Sequence, residues 1–390
     1  MRIHRVVSAL LVVLASSPHA SAQSVSDILT FLVTNQSVQT GSIERDRAAA
    51  QATSDTISKA LLANLATMPV PTSSSAFVYR LNPELGTVQR ATQTFGPFFI
   101  ERALTAGSHR ASFGVTFQHL QFDALDGASL RDGTLITTAN RFTDEAAPFD
   151  VDRLTLNINA DVTTLYGNVG LTDRVEVGFA APMIAMQLNG TRVNTYRGRT
   201  FTQATASATA IGLADMIVRT KVTMFEEEGA GIAAAVDVRL PTGKKEDLLG
   251  AGSPSMKFAA IGSIESGRVS THANAGVTVG GLARELSYGG ALAVAASARV
   301  TLSGELLGRW LDSFGTIVPS TAAHPTIAGV ETIRLTPATS TLNILTLVPG
   351  LKWNLTDTWV LAANVSIPLT TGGLTSSFTP FVGIDYAFGR

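Results

Sequence analysis

Cysteine is absent from the 390 residues, so no disulfide staples the fold in an oxidising compartment and thiolate metal sites are excluded. Charge is scarce: 15% of residues are Asp, Glu, Lys or Arg, and the formal net charge is −1. A chain this near neutrality lacks the basic footprint that a nucleic-acid partner requires. Long apolar runs are missing as well, since none beyond the first 22 residues approaches the ~18 needed for a membrane-spanning helix. Catalytic signatures are equally wanting. There is no G-x-S-x-G nucleophile elbow and no H-E-x-x-H metal helix, and Gly243-Lys244 lacks the upstream glycine of a phosphate-binding loop. Gly250-Ala251-Gly252 reads as a loop tip, and no pair of carboxylates can be brought together from spacing alone. Neither a cofactor nor a metal is expected.

What is there is apolar and finely divided. Hydrophobic residues make up 45% of the chain, and its mean hydropathy is +0.24. Many short alternating strands reconcile that figure with the lack of long runs. At the N-terminus, Arg2 and Arg5 precede the apolar stretch Val6 to Ala15, and Ala20-Ser21-Ala22 forms a cleavage site. Together these read as a secretory signal peptide over 1–22, with a mature start at Gln23.

Ser24 to Pro71 differs in kind. Ser42 can cap a helix from Ile43 to about Met68, with the apolar stripe Ile57, Leu61, Leu65 and Met68, and Pro69 and Pro71 end it. An amphipathic helix must dock on something. In a lumen it would be a plug or hatch, and at a periplasmic mouth it would contact a partner. Packing on the periplasmic rim is an equal reading. Residues 72–108 form a mixed connector: strand-like Phe77-Val78-Tyr79-Arg80, turn-prone Leu81-Asn82-Pro83, then Phe95-Gly96-Pro97-Phe98-Phe99. Whether it enters a lumen or adds a hairpin stays open.

From Arg110 onward polarity alternates one residue at a time, which is the period of a β-strand. In the last strand Val382, Ile384, Tyr386 and Phe388 oppose Gly383, Asp385 and Ala387. Phe113, Val115 and Phe117 start the series. Further strands fall at 154–162, 175–179, 216–224, 232–240, 256–264, 269–279, 292–300, 304–311, 342–353 and 359–367, giving twelve. Short links at Thr172-Asp173, 226–229, Ser266-Gly267, 301–303 and Thr356-Asp357 alternate with longer ones at 124–150, 190–210, 241–254, 281–287, 312–340 and 369–377. An even strand number, short turns at one end and long loops at the other are the marks of an outer-membrane barrel. Proline ends three strands, in Ala181-Pro182, Leu240-Pro241 and Ile367-Pro368, where the missing N–H does no harm at a rim. The fold class is all-β: a transmembrane antiparallel up-and-down barrel over 109–390, preceded by an N-terminal amphipathic helix within 23–108.

The apolar faces of 154–162, 175–179, 232–240, 359–367 and 382–388 carry no Asp, Glu, Lys or Arg, so they are expected to face lipid. Strand charges gather on the opposite faces. A lipid-facing Arg or Lys at mid-bilayer costs ~2–4 kcal/mol, so the lumen-lining candidates are Asp215, Arg219, Lys221, Asp237, Arg239, Glu305, Arg309 and Lys352. His272 joins them as a solvated lumenal histidine. Paired across neighbouring strands, these residues would stabilise a polar lumen; acting as a filter, their mixed signs imply little charge preference. A soluble β-sandwich would show the same alternation. The signal peptide, the strand count, the low charge and the aromatic terminus together favour the barrel.

The segments GLTDRVEVGFAAPM (170–183), IGLADMIVRTKV (211–222), DVRLPTGKKEDLLGAG (237–252) and the C-terminal LVPGLKWNLTDTWVLAANVSIPLTTGGLTSSFTPFVGIDYAF (347–388) resemble the outer-membrane transporters grouped under the MetA-pathway of phenol degradation. That group is loosely similar to FadL-type barrels, which admit hydrophobic compounds past an N-terminal hatch. Two features depart from the pattern: Lys244-Lys245 stands in place of a more acidic loop, and the chain runs two residues past Phe388. The resemblance implies passive uptake of small hydrophobic or aromatic compounds. Expected partners are outer-membrane lipid, a small-molecule solute and the barrel-assembly machinery. A structural or partner-binding barrel without a through-path is the alternative. A lipid-modifying barrel enzyme is a third reading, for which the sequence offers no nucleophile with an oriented base.

Overall fold

A computed structural model describes residues 23–34, 43–72, 79–82, 87–90, 92–356 and 358–388. The signal peptide and the Ser42 cap lie outside the described residues. Twelve strands close an antiparallel barrel: β1 (Ala111–Phe122), β2 (Asp150–Gly170), β3 (Val175–Tyr196), β4 (Met216–Glu227), β5 (Ala230–Leu240), β6 (Ser255–Ser266), β7 (Val269–Gly280), β8 (Glu285–Ala295), β9 (Val300–Leu311), β10 (Leu342–Asn354), β11 (Trp359–Pro368) and β12 (Thr379–Phe388). Each strand pairs with its neighbour in sequence, and β12 closes on β1, Phe388 opposite Ala111 and Phe381 opposite Gln118. Closure leaves the barrel wall no edge, the condition for a sheet to span a membrane. This is an outer-membrane β-barrel.

All twelve expected strands form. The one expected at 292–300 is displaced and runs from Glu285 to Ala295. Gly289-Gly290 masks its first half, and the alanine-rich run after Leu292 carries no polarity change to mark its end. The lipid face carries Phe113, Phe117, Phe179, Ile232, Val277, Leu302 and Val382, all well exposed. Trp359, Tyr386 and Phe388 stack at the short-turn end, with ring centroids 4.6 and 4.4 Å apart, as an interfacial girdle requires. By the same asymmetry that end is periplasmic.

At the closing seam Gly114 lies between Tyr166 and Asp385 in register. The Tyr166 hydroxyl donates to Asp385 Oδ1 across it, at 2.5 Å. A side chain at position 114 would collide with both groups, so glycine is what lets β2 and β12 be tied over the first strand.

β2 and β3 are 21 and 22 residues long, about twice what a spanning strand needs. Their excess projects beyond the bilayer on the external side. There the segments expected as long loops form strands: Leu135–Phe142 pairs with β2, Arg199–Leu213 pairs with β3, and Thr316–Ala323 with Val330–Ala338 extends the sheet from 135–142. This extension corrects one expectation about lipid. Leu154, Leu156, Ile158, Ala160 and Val162 point inward and are buried, whereas lower on the same strand Val169, of opposite parity, faces out. The physical reason is that water, not lipid, lies outside the projecting half, so its apolar face turns to the interior.

The interior of the external half is filled by two helices. α1 (Val25–Val33) starts with a capping box between Ser24 and Asp27 and buries Val25, Ile28, Leu29, Leu32 and Val33, the spacing of one helical face. α2 (Ile43–Leu65) buries Ile57, Leu61 and Leu65, with Met68 just past its end. Both helices share one apolar cluster with Leu156, Ile158 and Leu188 of the wall. The helix therefore does not sit on the periplasmic rim, and it ends three residues before the expected Met68.

Candidate functional site: the lumen

The connector continues where α2 leaves off. Tyr79–Asn82 and Thr87–Arg90 pair as a small hairpin; Phe77, Val78 and Pro83 lie outside the described residues. Residues 92–108 then run through the periplasmic half of the lumen before entering β1. This segment is irregular because Gly96 and Pro97 interrupt it, so its backbone groups need partners from the wall. They find them on inward-facing side chains.

Glu305 of β9 accepts three consecutive backbone N–H groups, from Phe98 (2.5 Å), Phe99 (2.8 Å) and Ile100 (2.8 Å). Lys352 donates to the Pro97 carbonyl at 3.0 Å. Lys221 donates to the carbonyls of Arg102 and Leu104 at 3.2 and 3.1 Å and pairs with Glu101 at 3.2 Å. The Ala106 N–H reaches Glu176 at 2.7 Å, and the Ala103 N–H reaches the Ser263 hydroxyl at 2.8 Å. Arg102 is fully buried and donates to Thr92 Oγ1 and the Thr94 carbonyl, with Glu265 3.4 Å away.

Higher in the lumen, Arg239 donates to the carbonyls of Ala66 and Met68, and Arg309 donates to the Ala63 carbonyl at 2.9 Å and to Thr67 Oγ1 at 2.7 Å. Both cations thus satisfy carbonyls left open at the C-terminus of α2, where positive charge is favoured. Two guanidinium–carboxylate forks cross neighbouring strands. Arg219 holds Asp237 at 2.6 and 2.7 Å, and Arg309 holds Glu285 at 3.1 and 2.6 Å. Arg219 also pairs with Glu101.

Of the nine residues singled out in the sequence, Arg219, Lys221, Asp237, Arg239, Glu305, Arg309 and Lys352 therefore meet in one polar network around the N-terminal segment. Asp215 shares the inward parity, but its carboxylate takes the N–H groups of Gly243 and Ala251 at 3.0 and 2.8 Å and so closes the 241–254 loop. His272 is not solvated as expected. It is 3% exposed, with Nδ1 at 2.8 Å from Ser263 Oγ and Nε2 at 3.1 Å from Ser270 Oγ. The charges that act on it are those of Arg102, Lys221 and Lys352, and among the described residues no hydrogen bond or ion pair joins it to a carboxylate. Ser263 is itself covered by the Ala103 N–H. Among the described residues no group of three or more His, Asp or Glu side chains could hold a metal ion.

Glu101, Arg102, Glu176, Lys257 and Glu285 belong to the same network or its borders and were not singled out. Lys257 alternates with Met256 and Phe258, and Glu176 with Val175 and Val177, so parity alone could have found both. For Glu101-Arg102 the signal was a charged pair within an apolar connector.

Between residues 67–70, just past α2, and residues 99–101 lies a cavity of about 140 Å³, with Val70, Phe99, Ile100, Ile217, Ile261 and Leu307 among its apolar lining. A second, of about 110 Å³, lies beside Gln118, Phe122, Ile344 and Phe381.

No protein-family model matches the chain, and no curated protein sequence matches it. Solved structures of similar form do. An outer membrane channel from Pseudomonas putida F1 aligns over 73% of this chain and 98% of its own, at 14% identity and a TM-score of 0.47. The KdgM porin, solved with disordered oligogalacturonate, aligns over 71% and 99% at 8% identity and a TM-score of 0.35. OprB of Pseudomonas putida aligns over 72% and 93% at 7% identity and a TM-score of 0.29.

Proposed function

We propose that this barrel is an outer-membrane channel for passive uptake of small, mainly hydrophobic or aromatic compounds, closed by its own residues 23–108. The observation that carries the reading is how the segment at 92–108 is held. It is bound by polar side chains of the wall through its backbone, rather than by a continuous apolar core. Lumenal charges released from such contacts meet water instead of grease, so withdrawal leaves a wettable pore. Apolar side chains at Phe99, Ile100, Ile217 and Leu307 border the cavities along that path, which favours solutes with apolar bodies.

Single-channel conductance in a planar bilayer tests the reading. The mature chain from Gln23 is expected to stay closed. Removal of 24–71 clears the external half and leaves 92–108 in place, so conductance stays low. Removal of 24–108 is expected to give open channels. A version lacking 24–108 that folds, by its heat-dependent gel mobility, yet never conducts would overturn the channel. It would favour a structural barrel whose N-terminal segment serves as a permanent core.

A further inference from the structure

The cavity under the C-terminus of α2 has an uneven charge lining. Its border includes the cations Arg219, Arg239, Lys257 and Arg309 and the carboxylates Glu101, Asp237 and Glu285. Asp237 stands opposite Arg219 on one side and opposite Lys257 on the other. Its carboxylate turns to Arg219, which takes both oxygens. Glu285 is likewise taken on both oxygens by Arg309, and Glu101 is held by Arg219 and Lys221. Arg239 is engaged by the carbonyls of Ala66 and Met68, just past α2. That leaves Lys257, which makes no hydrogen bond and no ion pair among the described residues.

A partly buried ammonium that makes no hydrogen bond and no ion pair is stabilised by an anion that can reach it. Val70, Phe99, Ile100, Ile217, Ile261 and Leu307 supply the apolar part of the same lining. A volume near 140 Å³ compares with the ~150 Å³ that holds one benzene ring. We propose that this cavity binds a small organic anion, an aromatic or compact aliphatic carboxylate, with the carboxylate on Lys257 and the apolar body against those apolar side chains. The inference rests on the channel reading for its physiological meaning, since it names the class of solute; the site itself stands on the lining.

The test uses the full mature chain in detergent, with benzoate as probe and benzamide as its uncharged counterpart, by isothermal titration. Benzoate is expected to bind at least tenfold more tightly than benzamide. In Lys257→Met that preference disappears while benzamide binding is unchanged; Lys257→Arg retains it. Equal binding of the two probes, or a benzoate preference that survives in Lys257→Met, overturns the proposal, and so does failure of benzoate to bind at millimolar concentration. Benzoate uptake into vesicles by the version lacking 24–108 separates the two readings. Lys257-dependent binding in the full chain without any transport by the shortened one keeps the site and removes the channel. Transport without Lys257-dependent binding does the reverse.

Discussion

The two halves of the lumen are filled by opposite means within one continuous wall. In the external half, Leu29, Leu32 and Leu61 of the helices lie fully buried against Leu156, Ile158 and Leu188, each such side chain contributing ~1.5–3 kcal/mol. That force is non-directional, and breaking it exposes apolar surface. In the periplasmic half, Glu305, Lys221 and Lys352 grip the backbone of 97–104. Hydrogen bonds to charged groups are worth ~1.5–3 kcal/mol each, yet they are directional, and water can replace every one. The external half is built like the core of a soluble domain. The periplasmic half is held by directional polar contacts, beside small separate apolar clusters at Phe95, Phe98 and Ala103.

The sharpest way to break this contrast is to attack each half alone. Leu61→Asp buries an unpaired charge in the external core and is expected to cost ~4 kcal/mol. Residues 23–72 should then become open to protease while the barrel keeps its gel mobility and 92–108 stays protected. Loss of protection in both halves would show that they unfold as one unit. Glu305→Ala removes the acceptor of three N–H groups and should weaken the periplasmic latch by ~2–3 kcal/mol. The measurement is open probability in a bilayer, expected to rise more than tenfold with the external core intact; an unchanged open probability would place the barrier elsewhere.

Smaller effects test the wall that both halves share. Gly114→Val crowds the Tyr166–Asp385 tie at the seam and is expected to lower stability by ~1–3 kcal/mol, read as a fall in the urea midpoint. The His119–Asp161 pair on the outer surface is short, 2.7 Å, but both side chains are about half exposed. Asp161→Asn should therefore change stability by less than ~1 kcal/mol, and a larger fall would mean that the projecting strands are held from outside.

The last prediction concerns pH. Asp123, at the external end of β1, is partly buried, which raises its carboxyl, but the N–H and hydroxyl of Ser377 and the guanidinium of Arg131 outweigh this and hold it below its ordinary 3.8. A group with a depressed value contributes its stability above the ordinary value and loses it as pH falls through its own lower one. The loop at 369–378 should thus stay tethered at pH 5 and become a pepsin site only in acid below 3.8. In Asp123→Asn the loop should be cut already at pH 5; equal resistance there would remove Asp123 as the tether.

Much of the architecture was legible in the residues themselves. Strand periodicity is local, and a charge facing lipid is penalised wherever it stands, so the twelve strands, their turns and the inward parity of Arg219, Asp237, Glu305 and Lys352 could be read directly. The Ser24–Asp27 capping box ahead of an apolar run is likewise a local mark of α1. Three things were not local. Which side of 154–162 is wet depends on where the bilayer stops, and alternation reads the same with lipid outside or helices inside. Whether Glu305 lines water or grips Phe98, Phe99 and Ile100 depends on a segment some two hundred residues earlier. That Lys257 makes no hydrogen bond or ion pair among the described residues follows from competition for Asp237 between two strands. Alternation by itself determined the strands and the face on which their charges lie, and with the strand count, the low charge and the aromatic terminus it pointed to a barrel. Only the tertiary structure decided what those charges touch, because a period of two fixes the direction of a side chain and says nothing of what fills the space it points into.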